Sequence, residues 1–346
     1  MKYHQNFTLR MTNSNKKGVF IIAELSANHN GSKELALETV RAAKRAGADA
    51  IKLQTYTADT ITLNVKNDDF KISQGTLWDG KYFHDLYQDA HTPWEWHQEI
   101  FDLANELGLV CFSSPFDKTA VDFLEELGNP IYKIASFEIT DIPLIKYAAS
   151  KGKPMIISSG IAGLEDIELA LKTCYDVGNN DVTLLKCTSS YPAPVEEANM
   201  VMIKEMADRF GVKTGLSDHT LGSTVPIVAT CFGAKVIEKH IILNKEIGGP
   251  DAAFSLDEIE FTQMVKSVRE AEKSIGEISY QLTDKQKAGK AFSRSLYIAE
   301  DIKEGELFTD KNIKSVRPGF GMHPKFYSKI IGKEAKKNFK KGERAE

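Results

Sequence analysis

The sequence predicts an α/β chain: a (β/α)8 TIM barrel followed by a small, separate C-terminal β-rich domain. Three observations lead there. Short β-branched runs alternate with amphipathic helical stretches, and eight such runs are present. The runs are nearly continuous in apolar residues, as expected of parallel strands covered on both faces. The pattern then changes after Ile275. Eight alternating units favour a closed barrel over an open sheet, and a barrel of about 250 residues leaves room in 346 for an appendage.

In chain order the expected strands are Val19–Leu25, Ala50–Gln54, Leu109–Ser113, Ile131–Ser136, Pro154–Ser158, Val182–Cys187, Lys213–Ser217 and Ala234–Lys239. Helical patterns occupy Lys33–Ala46, Trp94–Leu107, Ala120–Leu127, Leu164–Tyr175, Ala198–Phe210 and Ser255–Ile275. The turns Ala46–Asp49, Glu106–Leu109 and Phe232–Lys235 each place a glycine between a helix and the next strand, where a left-handed C-cap is needed. The connection from Tyr56 to Thr92 is long and carries Trp78, Tyr82, Phe83 and Tyr87. Such a loop is either a plain surface insertion or a segment with a function of its own. These boundaries put the barrel at residues 1–275, a polar linker at 276–290 and the small domain at 291–346.

Composition narrows the function classes. Hydrophobic residues are 42% and charged residues 27%, which excludes a mostly disordered chain. The net charge of −4 disfavours a nucleic-acid binder, which needs an excess of phosphate-neutralising cations. Cys111, Cys174, Cys187 and Cys231 are widely spaced without a CxxC, so a disulfide scaffold or zinc ribbon is not expected and a reducing cytoplasm is. The stretch Met1–Gly18 is polar and lacks the apolar core of a signal peptide, the sequon at Asn6 reads as chance, and no run is long and apolar enough for a membrane span.

Catalytic groups of such barrels sit at the C-terminal ends of the strands. Here those ends carry Glu24 to His29, Lys52 and Gln54, Ser113 and Ser114, Lys133 to Glu138, Ser158 and Ser159, Lys186 to Ser189, Ser217 to His219, and Glu238 to His240. Buried lysines are costly without a compensating charge. Lys52 and Lys133 among several hydroxyls therefore describe a pocket for a small phosphorylated or carboxylated anion; each lysine taken alone could equally pair with a structural carboxylate. His219 and His240 end adjacent strands, about 4.8 Å apart, and can reach one ion. Two histidines with oxygen neighbours suit a divalent ion that keeps waters, such as Mn²⁺. Asn28 and His29 are candidates for binding substrate hydroxyls, and Glu24 is either a salt-bridge partner of Lys52 or an acid–base near a reacting carbonyl. No Walker A, GxGxxG, HExxH or GxSxG pattern accompanies these groups.

The strand-end motifs resemble the sialic acid synthase family, the phosphoenolpyruvate-condensing synthases of nine-carbon sugar acids. The motifs are Glu24-Leu25-Ser26-Ala27-Asn28-His29, Ile51-Lys52-Leu53-Gln54-Thr55, Tyr132-Lys133-Ile134-Ala135-Ser136, Cys187 to Pro192, Gly215 to His219, Glu238-Lys239-His240 and Gly249-Pro250-Asp251. The tail from Arg294 to Gly319 is similar to the antifreeze-like (SAF, β-clip) domain of these enzymes. The Glu24–His29 form and the insertion Leu77–His97 look like the pseudaminic acid synthase branch.

The resemblance implies that phosphoenolpyruvate condenses with an open-chain diacetamido six-carbon sugar, 2,4-diacetamido-2,4,6-trideoxy-L-altrose, and that phosphate leaves by C–O cleavage. N-acetylneuraminate and legionaminate synthases are the alternatives within the family. It implies Glu24, Lys52, Lys133, His219 and His240 as catalytic residues, with a divalent ion on His219 and His240; Mn²⁺ is favoured over Mg²⁺ or Co²⁺. It implies Asn28, Gln54, Ser114, Ser136, Glu138, Ser158, Ser189, Tyr191, Ser217, Glu238 and Asp251 around the substrates. Ser114 and Ser189 stand where many members carry Thr and Asn. Arg317 matches an arginine of the antifreeze-like domain that reaches the partner subunit, which implies a domain-swapped homodimer. A Schiff-base aldolase using Lys133 or Lys186, or a non-catalytic sugar- or ice-binding protein, are the competing readings.

Overall fold

The computed structural model describes residues 18–345; the polar N-terminal stretch up to Lys17 and the sequon at Asn6 lie outside them. Eight parallel strands close into a barrel in chain order: β1 Phe20–Glu24, β2 Ala50–Thr55, β3 Val110–Pro115, β4 Tyr132–Ile134, β5 Met155–Ser158, β6 Val182–Cys187, β7 Lys213–Asp218 and β8 Val236–His240. Closure runs through β8 pairing β1, with Glu24 opposite His240.

Alternation along each strand sorts the side chains into two layers. Phe20, Ile22, Phe112, Ile131, Ile156, Leu185 and Val236 point inward and form a small apolar plug inside the barrel. The intervening residues, among them Ile21, Ile51, Ile134, Ile157, Leu184 and Ile237, pack outward against the helices in the main core. The inward series therefore continues, two residues further along each strand, into the residues that end it: Glu24, Lys52, Lys133, Ser158, Cys187, Ser217 and Glu238. This continuation is what gathers the functional groups at one mouth.

The first helix, Lys33–Arg45, illustrates how the outer layer is specified. Ser32 caps it by accepting from the Leu35 amide, the buried face is Ala36, Thr39, Val40 and Ala43, and Gly47 at φ +88° turns the chain toward β2. Two further helices, Ile142–Ala149 and Thr224–Cys231, lack an amphipathic signature in the sequence. The second reads TVPIVATC, whose β-branched residues favour a strand; tertiary packing in the crossover position overrides that preference.

The connection between β2 and β3 is an ordered substructure. It contains the short helix Ala58–Ile61, a bridge between Lys71 and Tyr82, and the helix Phe83–Ala90, before the helix His97–Glu106 resumes the barrel pattern.

Contacts divide the chain into two compact units that meet at Gly276 and Glu277. The second unit pairs β9 Ser295–Ile298 antiparallel with β10 Ile313–Val316 over a small core of Leu296, Ile298, Ile302, Phe308, Ile313 and Phe339. The stretch expected as a linker holds the helix Asp284–Gly289.

Candidate active site

The mouth of the barrel opens into a cavity of about 710 Å³. Its floor is an ionic network. Lys52 is ion-paired with Glu24, lies 3.7 Å from Glu238 Oε1 and donates to Ser114 Oγ at 3.3 Å. Lys133 Nζ lies 3.7 Å from Glu238 Oε1 and donates to the Ile134 carbonyl at 3.0 Å. Gln54 Nε2 donates to Glu24 Oε1 at 3.2 Å, Ser217 Oγ donates to Glu238 Oε1 at 3.3 Å, and the hydroxyls of Ser136 and Ser189 share a 2.7 Å hydrogen bond. Two buried lysines thus face two buried glutamates. Each lysine has the carboxylate partner that the sequence reading left open for it.

Burial sets the protonation of the network. It pushes the Glu24 carboxyl up to about 7 against the pull of Lys52, and the Glu138 carboxyl up to about 7 as well. Burial lowers Lys133. Burial also opposes the charge on Lys52, but Glu238 and Glu24 outweigh it and hold the amine above its ordinary value. Buried polar atoms without a hydrogen-bond partner among the described residues include Ser158 Oγ, Glu138 Oε2, Glu238 Oε2 and His240 Nδ1, and all four residues line the cavity. Such atoms are costly unless a ligand or water completes them.

His219 and His240 stand side by side with ring centroids 5.3 Å apart. His219 Nδ1 faces the Thr188 carbonyl at 3.0 Å, an arrangement that fixes the ring and leaves Nε2 for another partner. His240 is held neutral, well below its ordinary pKa, by burial among cationic neighbours, and its unpartnered Nδ1 lies 3.9 Å from Asp251 Oδ2. Tyr191 packs on His219 at 4.5 Å between centroids, and Phe254 contacts both imidazoles. Among the described residues no group of three or more His, Cys, Asp or Glu side chains has the geometry of a metal site. Two histidines with an adjacent carboxylate still fit a divalent ion that takes its remaining ligands from solvent and substrate.

Gln54, Ser136, Glu138, Ser158, Ser189, Tyr191, Ser217, Glu238 and Asp251 all line the cavity with the five expected catalytic residues. Others are placed elsewhere. Asn28 is buried outside the cavity, where its amide donates to the Ile241 carbonyl at 2.9 Å and Ser255 Oγ at 2.8 Å; it ties the β1 loop to the β8 loop instead of facing substrate. His29 likewise stays behind the wall, bonded to Thr92 Oγ1 at 3.2 Å and held neutral by burial with a pKa of about 4. Ser114 supports Lys52 from below and does not line the cavity. Lys186 has the outward parity on β6, donates to the Cys187 carbonyl at 2.7 Å and does not line the cavity, so of the two lysines weighed for a Schiff base only Lys133 faces it. Arg317 belongs to the second unit, directly after β10.

Sequence reasoning did not assign the apolar side of the cavity. Ile61, Ile72, Trp78, Phe83, Leu86 and Tyr87 come from the β2–β3 insertion, joined by Phe116 and by Cys187 from β6. The signal was present: a long connection unusually rich in aromatic residues.

A barrel of this kind with a lysine–glutamate floor and a histidine pair defines a class, and the comparisons agree. The NeuB family profile matches residues 39–280 and the SAF domain profile matches residues 293–343; the chain belongs to the NeuB family. It is similar to the pseudaminic acid synthase of Campylobacter jejuni subsp. jejuni serotype O:2, with 49% identity over 331 residues and 96% of each chain covered. It is also similar to the pseudaminic acid synthase of Helicobacter pylori, with 50% identity over 321 residues, 92% of this chain and 94% of that one. Among solved structures, the spore coat polysaccharide biosynthesis protein spsE of Bacillus subtilis superposes with a TM-score of 0.65 at 32% identity, covering 94% of this chain and 92% of that one. The resemblance read from the strand-end motifs and the barrel-plus-SAF architecture are both borne out.

Proposed function

We propose that the protein condenses phosphoenolpyruvate with 2,4-diacetamido-2,4,6-trideoxy-L-altrose to give pseudaminic acid and phosphate. The observation that carries the reading is the convergence of Lys52, Lys133, Glu24 and the His219–His240 pair on one cavity, in a chain about half identical to pseudaminic acid synthases along nearly its whole length.

The phosphate and carboxylate of phosphoenolpyruvate displace Glu24 and Glu238 from Lys52 and Lys133, with the hydroxyls of Ser136, Ser158, Ser189 and Ser217 completing the clamp. The clamp holds the nucleophilic methylene carbon against the sugar aldehyde. The new C–C bond forms, the aldehyde oxygen takes a proton, and water adds to the carbon that bears the phosphate ester and loses a proton. Breaking that C–O bond, as the new hydroxyl gives its proton to the departing phosphate, releases phosphate and leaves the 2-keto acid. Glu24, with its carboxyl poised near neutral pH, is suited to move these protons. His219 and His240, with Asp251 beside them, would hold a divalent ion, Mn²⁺ before Mg²⁺ or Co²⁺, which when bound polarises a carbonyl oxygen as a Lewis acid. Gln54, Glu138 and Tyr191 orient the sugar.

Arg317 reaches the barrel of a partner subunit and contacts an acyl group of the sugar, in a domain-swapped homodimer acting in the cytoplasm. No helix among the described residues is long and apolar enough to cross a membrane.

Phosphate release tests the reading. The enzyme is offered phosphoenolpyruvate with the altrose derivative, N-acetylmannosamine and the legionaminic acid precursor in turn, with and without chelator. Release that is fastest with the altrose derivative and lost on chelation is expected. Preference for another sugar overturns the substrate, and pyruvate-dependent inactivation by borohydride without any effect of chelator overturns the mechanism in favour of a Schiff base on Lys133.

A further inference from the structure

We infer that the β2–β3 insertion is the sugar-selecting wall of the cavity: it reads the methyl-bearing part of a deoxy acetamido sugar and discriminates against hydroxyl groups there. The inference rests on the proposed reaction and names the part of the site that chooses the second substrate.

The cavity is chemically divided. The strand ends supply a floor of charges and hydroxyls, while the insertion supplies mostly apolar and aromatic side chains, Ile61, Ile72, Phe83, Leu86 and Tyr87 with Phe116 beside them, and Gln74 and Thr76 as its polar members. Ile72 and Leu86 are 3% and 6% exposed. An apolar wall offers nothing to phosphoenolpyruvate, whose only carbon group outside its phosphate and carboxylate is the reacting methylene. The diacetamido trideoxy sugar carries three methyl groups, two on its acetamido substituents and one at C6. A sugar of the N-acetylmannosamine type has hydroxyls at C4 and C6, which lose their water where they meet the apolar side chains of such a wall.

The wall is built before any sugar arrives. The Ile72 amide donates to the Lys81 carbonyl, and the Gly80 amide to the Ile72 carbonyl, both at 2.9 Å. The Asp79 carboxylate accepts from the amides of Gly75 and Thr76 at 2.9 and 2.8 Å. Trp78 Nε1 donates to the Pro250 carbonyl at 3.2 Å and so ties the insertion to the loop that carries Asp251. A run of ring contacts, Phe83–Tyr87 at 6.0 Å, Tyr87–Tyr56 at 5.7 Å and Tyr56–Phe116 at 5.1 Å, continues the surface toward β3. A preorganised surface converts methyl burial into selectivity with little ordering cost.

The test uses sugar alcohols, which lack the aldehyde and cannot react. The diacetamido trideoxy alditol and N-acetylmannosaminitol are titrated calorimetrically into the full-length enzyme saturated with phosphoenolpyruvate. Apolar pockets discriminate by about 10–200-fold per methylene-sized change, so wild type is expected to prefer the methyl-bearing alditol at least about 10-fold. Ile72→Thr, which removes a methyl group and adds a hydroxyl, and Phe83→Tyr, which adds a hydroxyl at a half-buried position, are each expected to cut that preference about 10-fold, with phosphoenolpyruvate affinity unchanged. An unaltered preference in both variants overturns the inference, as does an equal loss for both alditols. Should Ile72→Thr fail to fold, Phe83→Tyr decides alone. A preference eroded by the variants in an enzyme that releases no phosphate with the aldehyde sugar supports the wall and overturns the condensation.

Discussion

Glu24 and Glu238 share one buried cation, Lys52, and burial holds the Glu24 carboxyl near neutrality, so the network is responsive to pH. Lys52→Met leaves the two carboxyls in a low-dielectric floor without that partner. Breaking a buried pair in this way costs about 3 kcal/mol, and the cost shrinks toward pH 6 because Glu24 then takes a proton. Urea denaturation at pH 6 and 8 reads the difference; equal losses at both pH values contradict it. Glu138 gives a second pH signature. Its carboxyl is raised from 4.5 to about 7 in the folded protein. Between those values the native state binds more protons than the unfolded state, so stability falls as pH rises through that window. Glu138→Gln lacks that slope and should gain about 3 kcal/mol on wild type between pH 4 and pH 8. A constant difference across that range contradicts the buried position. The histidine pair is expected to act in chemistry and not in folding. His219→Ala or His240→Ala should lose turnover at least about 100-fold without lowering the melting temperature, and retained activity in metal-free buffer would reject the assignment.

At the scale of elements, the two-residue alternation of the strands decides which polar groups matter. Lys52, Lys133 and Glu238 share the inward parity of the apolar plug, whereas Lys186, Lys239 and Asp218 have the opposite parity. Lys239 pairs with Asp218 outside the barrel lumen. The strand ends were legible in the sequence because apolar runs stop abruptly at polar residues, but the parity that separates Lys186 from Lys133 has to be counted inward from the barrel core. Asn28 misled for a related reason: it follows β1, where position in a motif says nothing about the direction of the side chain. Close approach at the end of β5 makes a further prediction. A Cβ on Gly160 would collide with the hydroxyl oxygens of Ser189 and Ser136. Gly160→Ala should therefore raise the KM for phosphoenolpyruvate about 10-fold by spreading the serine pair, with little change in stability. An unchanged KM would place the phosphoenolpyruvate clamp elsewhere.

For the whole molecule, a barrel that supplies the chemistry is joined to a unit whose core is only a handful of apolar residues. Below about 70–80 residues such a core supplies little stability alone, so association with a partner is physically reasonable. Arg317→Ala should weaken sugar binding and leave phosphoenolpyruvate binding intact; unchanged sugar affinity contradicts the cross-subunit contact. The two-part architecture was legible because hydropathy patterning changes after Ile275. The inner surface of the β2–β3 insertion was not, because Ile72 carries no motif and Leu86, although inside the Leu77–His97 stretch, has nothing in the sequence to show that it faces the cavity. The most direct test of the proposed reaction is the fate of the bridging oxygen of phosphoenolpyruvate. With that atom as ¹⁸O, condensation with the diacetamido trideoxy sugar should deliver the label to inorganic phosphate, read by mass spectrometry. Phosphate free of ¹⁸O would mean P–O cleavage and would contradict the reaction assigned to this cavity.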